Sequence, residues 1–239
     1  MGVVKTSSGG SASGYLERTH RPLHCLIFIL PLLTAYEVGA LFFRDRLLAP
    51  RHLAALLELF GATAHFLPAL LVVAVLLIWH GLSRQRWQVD GKALLGMLAE
   101  SILGMIPLIG LGLLMQRLFG PVALSAGGPA DTSLAAEILS GIGAGIYEEF
   151  LFRLAAIGLI LFVSVDVLRA PKRAMSVVAV VAASVVFSLY HFAGPDPFNW
   201  HRFVFRLMAG LYLALLYVGR GFGIAVGAHA CYNVFVLAM

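Results

Sequence analysis

The chain has 239 residues, of which 60% are hydrophobic and 12% charged, with a mean hydropathy of +0.92 and a formal net charge of +5 at pH 7. Those proportions exclude a water-soluble globular domain and describe a chain whose solvent is mostly lipid, and at about 20 residues per crossing there is room for roughly six to eight spans and no large soluble domain. The positive charge does not call for nucleic acid, because Lys and Arg lie in short clusters between apolar runs (Arg44, Arg46 and Arg51; Arg84, Arg86 and Lys92; Arg169, Lys172 and Arg173), which is a topology pattern.

Residues 1–22, with Ser7, Ser8, Gly9, Gly10, Ser11 and Ser13, read as a flexible polar tail ahead of a single transmembrane domain over 23–239. The opening Met-Gly-Val-Val-Lys-Thr fits a loose myristoylation pattern that has meaning only in a eukaryotic cell. The first apolar segment starts too late and runs too long for a signal peptide, and Arg-Asp-Arg follows it in place of a small-residue cleavage site. Apolar runs then fall at about 23–43, 53–80, 93–116, 134–168, 174–193, 203–218 and 221–238. The fourth is too long for one span, so it is either a tilted helix that protrudes or two pieces broken near Gly141, Gly143 and Gly145. The expected fold is all-α: a polytopic transmembrane helical bundle of seven to eight helices with an intramembrane polar cavity.

With seven spans and an inner amino terminus, Lys5, Arg18, Arg21, Arg84, Arg86, Lys92, Arg169, Lys172, Arg173 and Arg220 fall on one side and Arg44, Arg46, Arg51, Arg117, Arg202 and Arg206 on the other. That bias of ten against six, with Arg153 left inside the membrane, predicts a cytoplasmic amino terminus. Segment 118–133 is a Gly/Pro-rich loop whose Asp131-Thr132-Ser133 end can cap the next helix, and Gly194-Pro195-Asp196-Pro197 stops the fifth run before an interfacial Trp200. Cys25 and Cys231 sit in apolar segments without metal-ligand spacing and read as small buried hydrophobes. No internal repeat and no inverted pair of broken segments points to a transporter.

Chemistry concentrates in three of these runs. Glu148 and Glu149 are adjacent inside Gly-Ile-Gly-Ala-Gly-Ile-Tyr-Glu-Glu-Phe-Leu-Phe-Arg, where each carboxylate costs a few kcal/mol in lipid and so marks a functional site. Glu149 and Arg153, Phe187 and His191, and His229 and Asn233 are each spaced i, i+4, which stacks each pair on one helix face. Polar stripes facing lipid would be unstable, so all three are expected to face one shared wet cavity. Two Glu, two His, one Asn and one Arg supply a base, donors for an oxyanion and a cation to hold a carboxylate, the inventory for activating water against a carbonyl. Taken singly, Glu149 with Arg153 reads equally well as a structural ion pair, His191 and His229 as hydrogen-bonded packing residues, Asn233 as a helix-to-helix tie and Phe187 as core. Glu37 and Glu100, also in apolar runs, either line the cavity or pair with Arg or His neighbours, and pairing is the expectation.

The ordered triple Glu148-Glu149-x-x-x-Arg153, Phe187-x-x-x-His191 and His229-x-x-x-Asn233 resembles the CAAX-protease and bacteriocin-processing (CPBP, or Abi) family of intramembrane endopeptidases, over roughly residues 134–238. The resemblance implies a membrane-embedded peptidase in which Glu148 activates water with help from His191, His229 and Asn233 stabilise the oxyanion, and Glu149 and Arg153 orient the site. It implies no cofactor, with zinc at Glu148, His191 and His229 as the alternative; no His-Glu-x-x-His helix is present. The expected partners are the lipid bilayer and a membrane-associated or lipid-anchored protein or peptide substrate, with no nucleic acid. The expected location is a prokaryotic cell membrane, as a multi-pass protein. The competing readings are a non-catalytic family-like scaffold or immunity protein and a proton-coupled transporter.

Overall fold

In the computed structural model, residues 10–43, 66–120, 133–193 and 197–239 are described. They contain eight helices and no strand: α1 (Gly10–Thr19), α2 (Pro22–Phe43), α3 (Leu67–Leu82), α4 (Gly91–Phe119), α5 (Leu134–Val167), α6 (Lys172–Tyr190), α7 (Trp200–Arg220) and α8 (Phe222–Ala238). Five of them, α2, α4, α5, α6 and α7, are long and apolar enough to cross a membrane; α3 and α8 are shorter apolar helices. The chain is therefore a polytopic helical bundle, as its composition requires. The part of the second apolar run before Phe66, and most of the Gly/Pro-rich loop at 118–133, lie outside the described residues.

The ends of these helices follow local chemistry. Asp90 caps α4 by accepting from Lys92 N at 2.9 Å, Ser133 caps α5 by accepting from Ala136 N at 3.4 Å, and Asn199 caps α7 by accepting from His201 N and Arg202 N. Gly221, at φ 96°, turns the chain between α7 and α8; a Cβ there would run into the carbonyl oxygen of Thr19. The polar leader expected over 1–22 is helical from Gly10. Its far end is tied down: Arg18 pairs with Asp90, His20 reaches the carbonyl of Val218 at 3.2 Å, and Cys25 Sγ donates to Thr19 O. Glu100 pairs with Arg220 at the same end, as its sequence setting suggested, and both cysteines are free thiols.

The fourth run settles as one unbroken helix. At about 1.5 Å per residue its 34 residues extend roughly 50 Å, well beyond a hydrocarbon core of about 30 Å, so α5 protrudes. It does not break at its glycines; instead its bonding widens to i→i+5 over Phe150–Ile157 and again over Phe162–Val167. The glycines serve packing. A Cβ on Gly145 would lie 2.9 Å from Ala230 Cα and N, and one on Gly141 would lie 3.1 Å from Asn233 Cβ, so α5 and α8 approach backbone to backbone along a small-residue seam. On its other faces α8 meets α4 in the same way, with Gly227 against Ser101 and Gly104 against Ala228. Every residue from Gly221 to Ala230 is buried, which makes α8 the central post of the bundle.

This seam gives a first prediction. Gly145→Ala forces a methyl against helix backbone that cannot move aside, and should lower unfolding free energy by about 1–3 kcal/mol. Gly158→Ala, on the same helix with nothing within 4 Å of its Cβ, should be neutral or stabilising by about 0.4–1 kcal/mol. Thermal unfolding of the two variants side by side in one detergent checks the contrast.

Candidate active site

The α5–α8 seam leads, one turn along α5, to the glutamate pair. Glu149 is fully buried, with both oxygens engaged. His229 Nδ1 on α8 lies 2.7 Å from Oε1, and Arg153 Nε, one turn on in the widened segment of α5, lies 3.1 Å from Oε2. The Arg153 contact is off the N–H direction and therefore ionic in character. The Arg153 side chain is 1% exposed; its Nη2 donates to the carbonyl of Gly210 on α7 at 3.3 Å, and its guanidinium carbon sits 4.4 Å above the Phe187 ring. Gly210 permits this because α7 meets α6 there at Phe187 and Ser184, leaving no room for a Cβ to settle without displacement.

Glu148 points elsewhere. Its carboxylate is 14% exposed and stands between two imidazoles, with Oε1 3.6 Å from His191 Nε2 and Oε2 3.8 Å from His229 Nε2. Both distances exceed a direct hydrogen bond. The opposite nitrogens of the two rings are already committed: His191 Nδ1 to the carbonyl of Phe187 at 2.9 Å, and His229 Nδ1 to Glu149. A carbonyl and an arginine-paired carboxylate accept hydrogen bonds, so each Nδ1 carries a proton and each Nε2 is turned toward Glu148. A carboxylate and two imidazole nitrogens thus converge without touching. A water bridging groups just too far apart to touch fits such a place.

His191 owes its position to the end of α6. The helix closes at Tyr190, the carbonyl of Phe187 is one of the terminal acceptors left without an intrahelical partner, and the His191 ring satisfies it. Aromatic side chains wall the site: Phe187 meets His191 at 4.9 Å between ring centroids, Phe152 at 5.4 Å and His229 at 6.2 Å, and Tyr190 meets Phe152 at 5.3 Å. Phe187, which the sequence marked simply as core, also roofs the Arg153 guanidinium.

Five of the six sequence candidates, Glu148, Glu149, Arg153, His191 and His229, form this one constellation. The sixth stands one turn beyond it: Asn233 Nδ2 donates to the carbonyl of Gly141 at 3.0 Å, tying α8 to α5, as the plain reading of an intramembrane Asn anticipates. Its second N–H and its carbonyl are not used by that bond. Among the described residues no group of three His, Cys, Asp or Glu side chains is arranged to hold a metal ion. Two contributors escaped the sequence reading. Gly210 offers only a backbone carbonyl, which no side-chain pattern reveals. Tyr147, beside Glu148, donates its hydroxyl to Glu37 on α2 at 2.7 Å, so Glu37 is held by a phenol in addition to any charged neighbour.

Comparison with family models finds a match over a segment of somewhat under half the chain. Residues 130–235 fit the family model described as Type II CAAX prenyl endopeptidase Rce1-like. No curated protein and no solved structure matches the chain. The matched segment contains α5 to α8 up to Phe235 and with them every member of the constellation. Residues 130–235 are accordingly similar to the Rce1-like type II CAAX prenyl endopeptidases.

Proposed function

We propose that this protein is an intramembrane endopeptidase that hydrolyses a peptide bond with a water molecule activated by Glu148. The observation that carries the reading is the bracketing of the Glu148 carboxylate by two imidazoles whose Nδ1 atoms are both committed, so that both Nε2 atoms are aimed at the same small volume. A water within about 2.8 Å of both Glu148 Oε1 and His191 Nε2 spans their 3.6 Å separation. Glu148 takes its proton as the oxygen attacks the scissile carbonyl, and the new C–O bond pushes the electron pair onto the carbonyl oxygen. His229, oriented through Nδ1 by Glu149, enters the reaction with both ring nitrogens protonated and leaves it so, its imidazolium supported in the way a buried carboxylate supports histidine in hydrolytic triads. Its Nε2–H and the second N–H of Asn233 then face the oxyanion. Collapse breaks the C–N bond, and the proton held by Glu148 passes to the departing amine. Arg153 does not touch the reacting atoms; it neutralises Glu149 and fixes it against α7.

The substrate class we infer is a membrane-associated or lipid-anchored protein or peptide, since the site lies within apolar helices and the matching family description names a CAAX prenyl endopeptidase. Comparing the membrane proteomes of cells carrying wild-type chain and Glu148→Gln tests it: one precursor should accumulate in the variant and its shortened product disappear. An unchanged proteome with a retained cellular phenotype would favour a scaffold.

No step of this scheme requires zinc, so proteolysis in proteoliposomes should stay within about twofold of its initial rate after prolonged chelation, since the base and oxyanion donors are all side chains. Loss with chelator and recovery on adding zinc would overturn the metal-free scheme and return Glu148, His191 and His229 to the role of ligands.

A further inference from the structure

We propose that Glu37, on α2 and outside the family-matched segment, is a positioning residue for catalysis: through the hydroxyl of Tyr147 it fixes the roll of α5 and thereby the place of the Glu148 carboxylate. The proposal rests on the reading of Glu148 as the water-activating group. Tyr147 immediately precedes Glu148, is almost fully buried, and donates to Glu37 Oε1 at 2.7 Å. The Tyr36 ring packs edge-on against the Tyr147 ring at 5.5 Å, and Gly39, one turn on from Tyr36, lies so close to Leu139 that a Cβ there would collide with its methyl groups. Side chains on α2 therefore grip α5 on one face, while Gly141 and Gly145 grip it against α8 on another.

Successive residues of a helix turn by about 100°, so Tyr147 and Glu149 point to different neighbours and Glu148 projects between them. With Glu149 bound to His229 and Tyr147 bound to Glu37, any roll of α5 breaks one bond or the other. Glu148 stands 3.6 and 3.8 Å from the two imidazole nitrogens, too far for either to hold it by a direct hydrogen bond. Its placement is borrowed from its sequence neighbours. The choice of Glu also needs a reason, because a buried tyrosine hydroxyl could be satisfied by an uncharged acceptor, whereas a carboxylate in an apolar helix is costly. A charge-assisted bond to a phenol is shorter and stronger than a neutral one, as a clamp on a helix requires.

The test uses the full chain in proteoliposomes, with Tyr147→Phe, Glu37→Leu and Glu37→Gln compared with wild type. Two measurements are made: cleavage of a quenched fluorescent peptide ending in a prenylated Cys-aliphatic-aliphatic-X motif, and the rate at which dicyclohexylcarbodiimide labels Glu148, read by peptide mass spectrometry. A carboxylate displaced by a fraction of an ångström should cost Tyr147→Phe and Glu37→Leu about 10-fold or more in kcat with KM nearly unchanged, with a clear change in Glu148 labelling. Glu37→Gln, which keeps an acceptor oxygen, should recover most of what Glu37→Leu loses. Unchanged kcat and labelling in Tyr147→Phe would overturn the clamp, as would a Glu37→Gln variant as impaired as Glu37→Leu. If the wild type leaves the peptide uncut while Tyr147→Phe still alters Glu148 labelling, the endopeptidase reading fails for that substrate and the clamp stands.

Discussion

Replacing Glu148 by Gln should abolish proteolysis while leaving the protein folded. The carboxamide matches the carboxylate in size but cannot take a proton from water, so the loss should be that of a general base, about 10²–10⁴-fold in kcat. Stability should change little, less than about 1 kcal/mol, because Glu148 makes no contact shorter than 3.6 Å to either histidine. Steady-state cleavage in proteoliposomes and unfolding in detergent, run on one preparation, separate the two effects. Glu149→Gln should behave differently: it removes charge from a fully buried group that meets both Arg153 and His229, so activity and stability should fall together. An active Glu148→Gln enzyme would remove Glu148 from the reaction and leave the constellation as structural.

The division of labour between these two carboxylates was only partly legible in the sequence. The i, i+4 pairs and the cost of polar groups in lipid suffice to bring Glu149, Arg153, His191 and His229 to a common interior, because periodicity fixes a face and burial forces that face inward. Periodicity does not name the partner. Asn233 shares a face with His229, yet the nearby carbonyl of Gly141 competes for its amide, and only the closeness of α5 and α8 decides that contest. The same closeness explains why the glycines of α5 do not break it: in a bilayer a broken helix leaves backbone groups unsatisfied, whereas an unbroken one can use its glycines to approach a neighbour. The polar leader was misleading for another reason. Its composition is that of a linker, but Thr19, His20 and Arg18 find partners at one end of the bundle, and tertiary contacts outweigh weak local propensity there. Contacts between distant helices, such as Tyr147 with Glu37 or Arg153 with the Gly210 carbonyl, leave no trace in local spacing at all.

The largest structural effect should come from Arg153. Its side chain is 1% exposed and its guanidinium meets three different things at once: the Glu149 carboxylate, the Gly210 carbonyl and the face of Phe187. Arg153→Leu leaves Glu149 buried with a single histidine partner, and stranding one half of a buried ion pair should cost about 3–5 kcal/mol, seen as a sharply lowered unfolding midpoint in detergent. Arg153→Lys should recover little, since an ammonium cannot lie flat on the Phe187 ring and reach Glu149 and Gly210 together. Removing both charges, as Glu149→Leu with Arg153→Leu, should restore a large part of the stability lost in the single variant, because the dominant cost is the uncompensated charge and not the missing contact. That double variant should nevertheless remain inactive. Without Glu149 the Nδ1 proton of His229 has lost its acceptor, the ring is free to turn, and its Nε2 no longer stands opposite Glu148. A stable double variant without proteolysis would separate the two duties of Glu149, one toward Arg153 in holding α5 and α7 and one toward His229 in aiming the imidazole; a stable single Arg153→Leu variant would show that the buried pair does not hold the site.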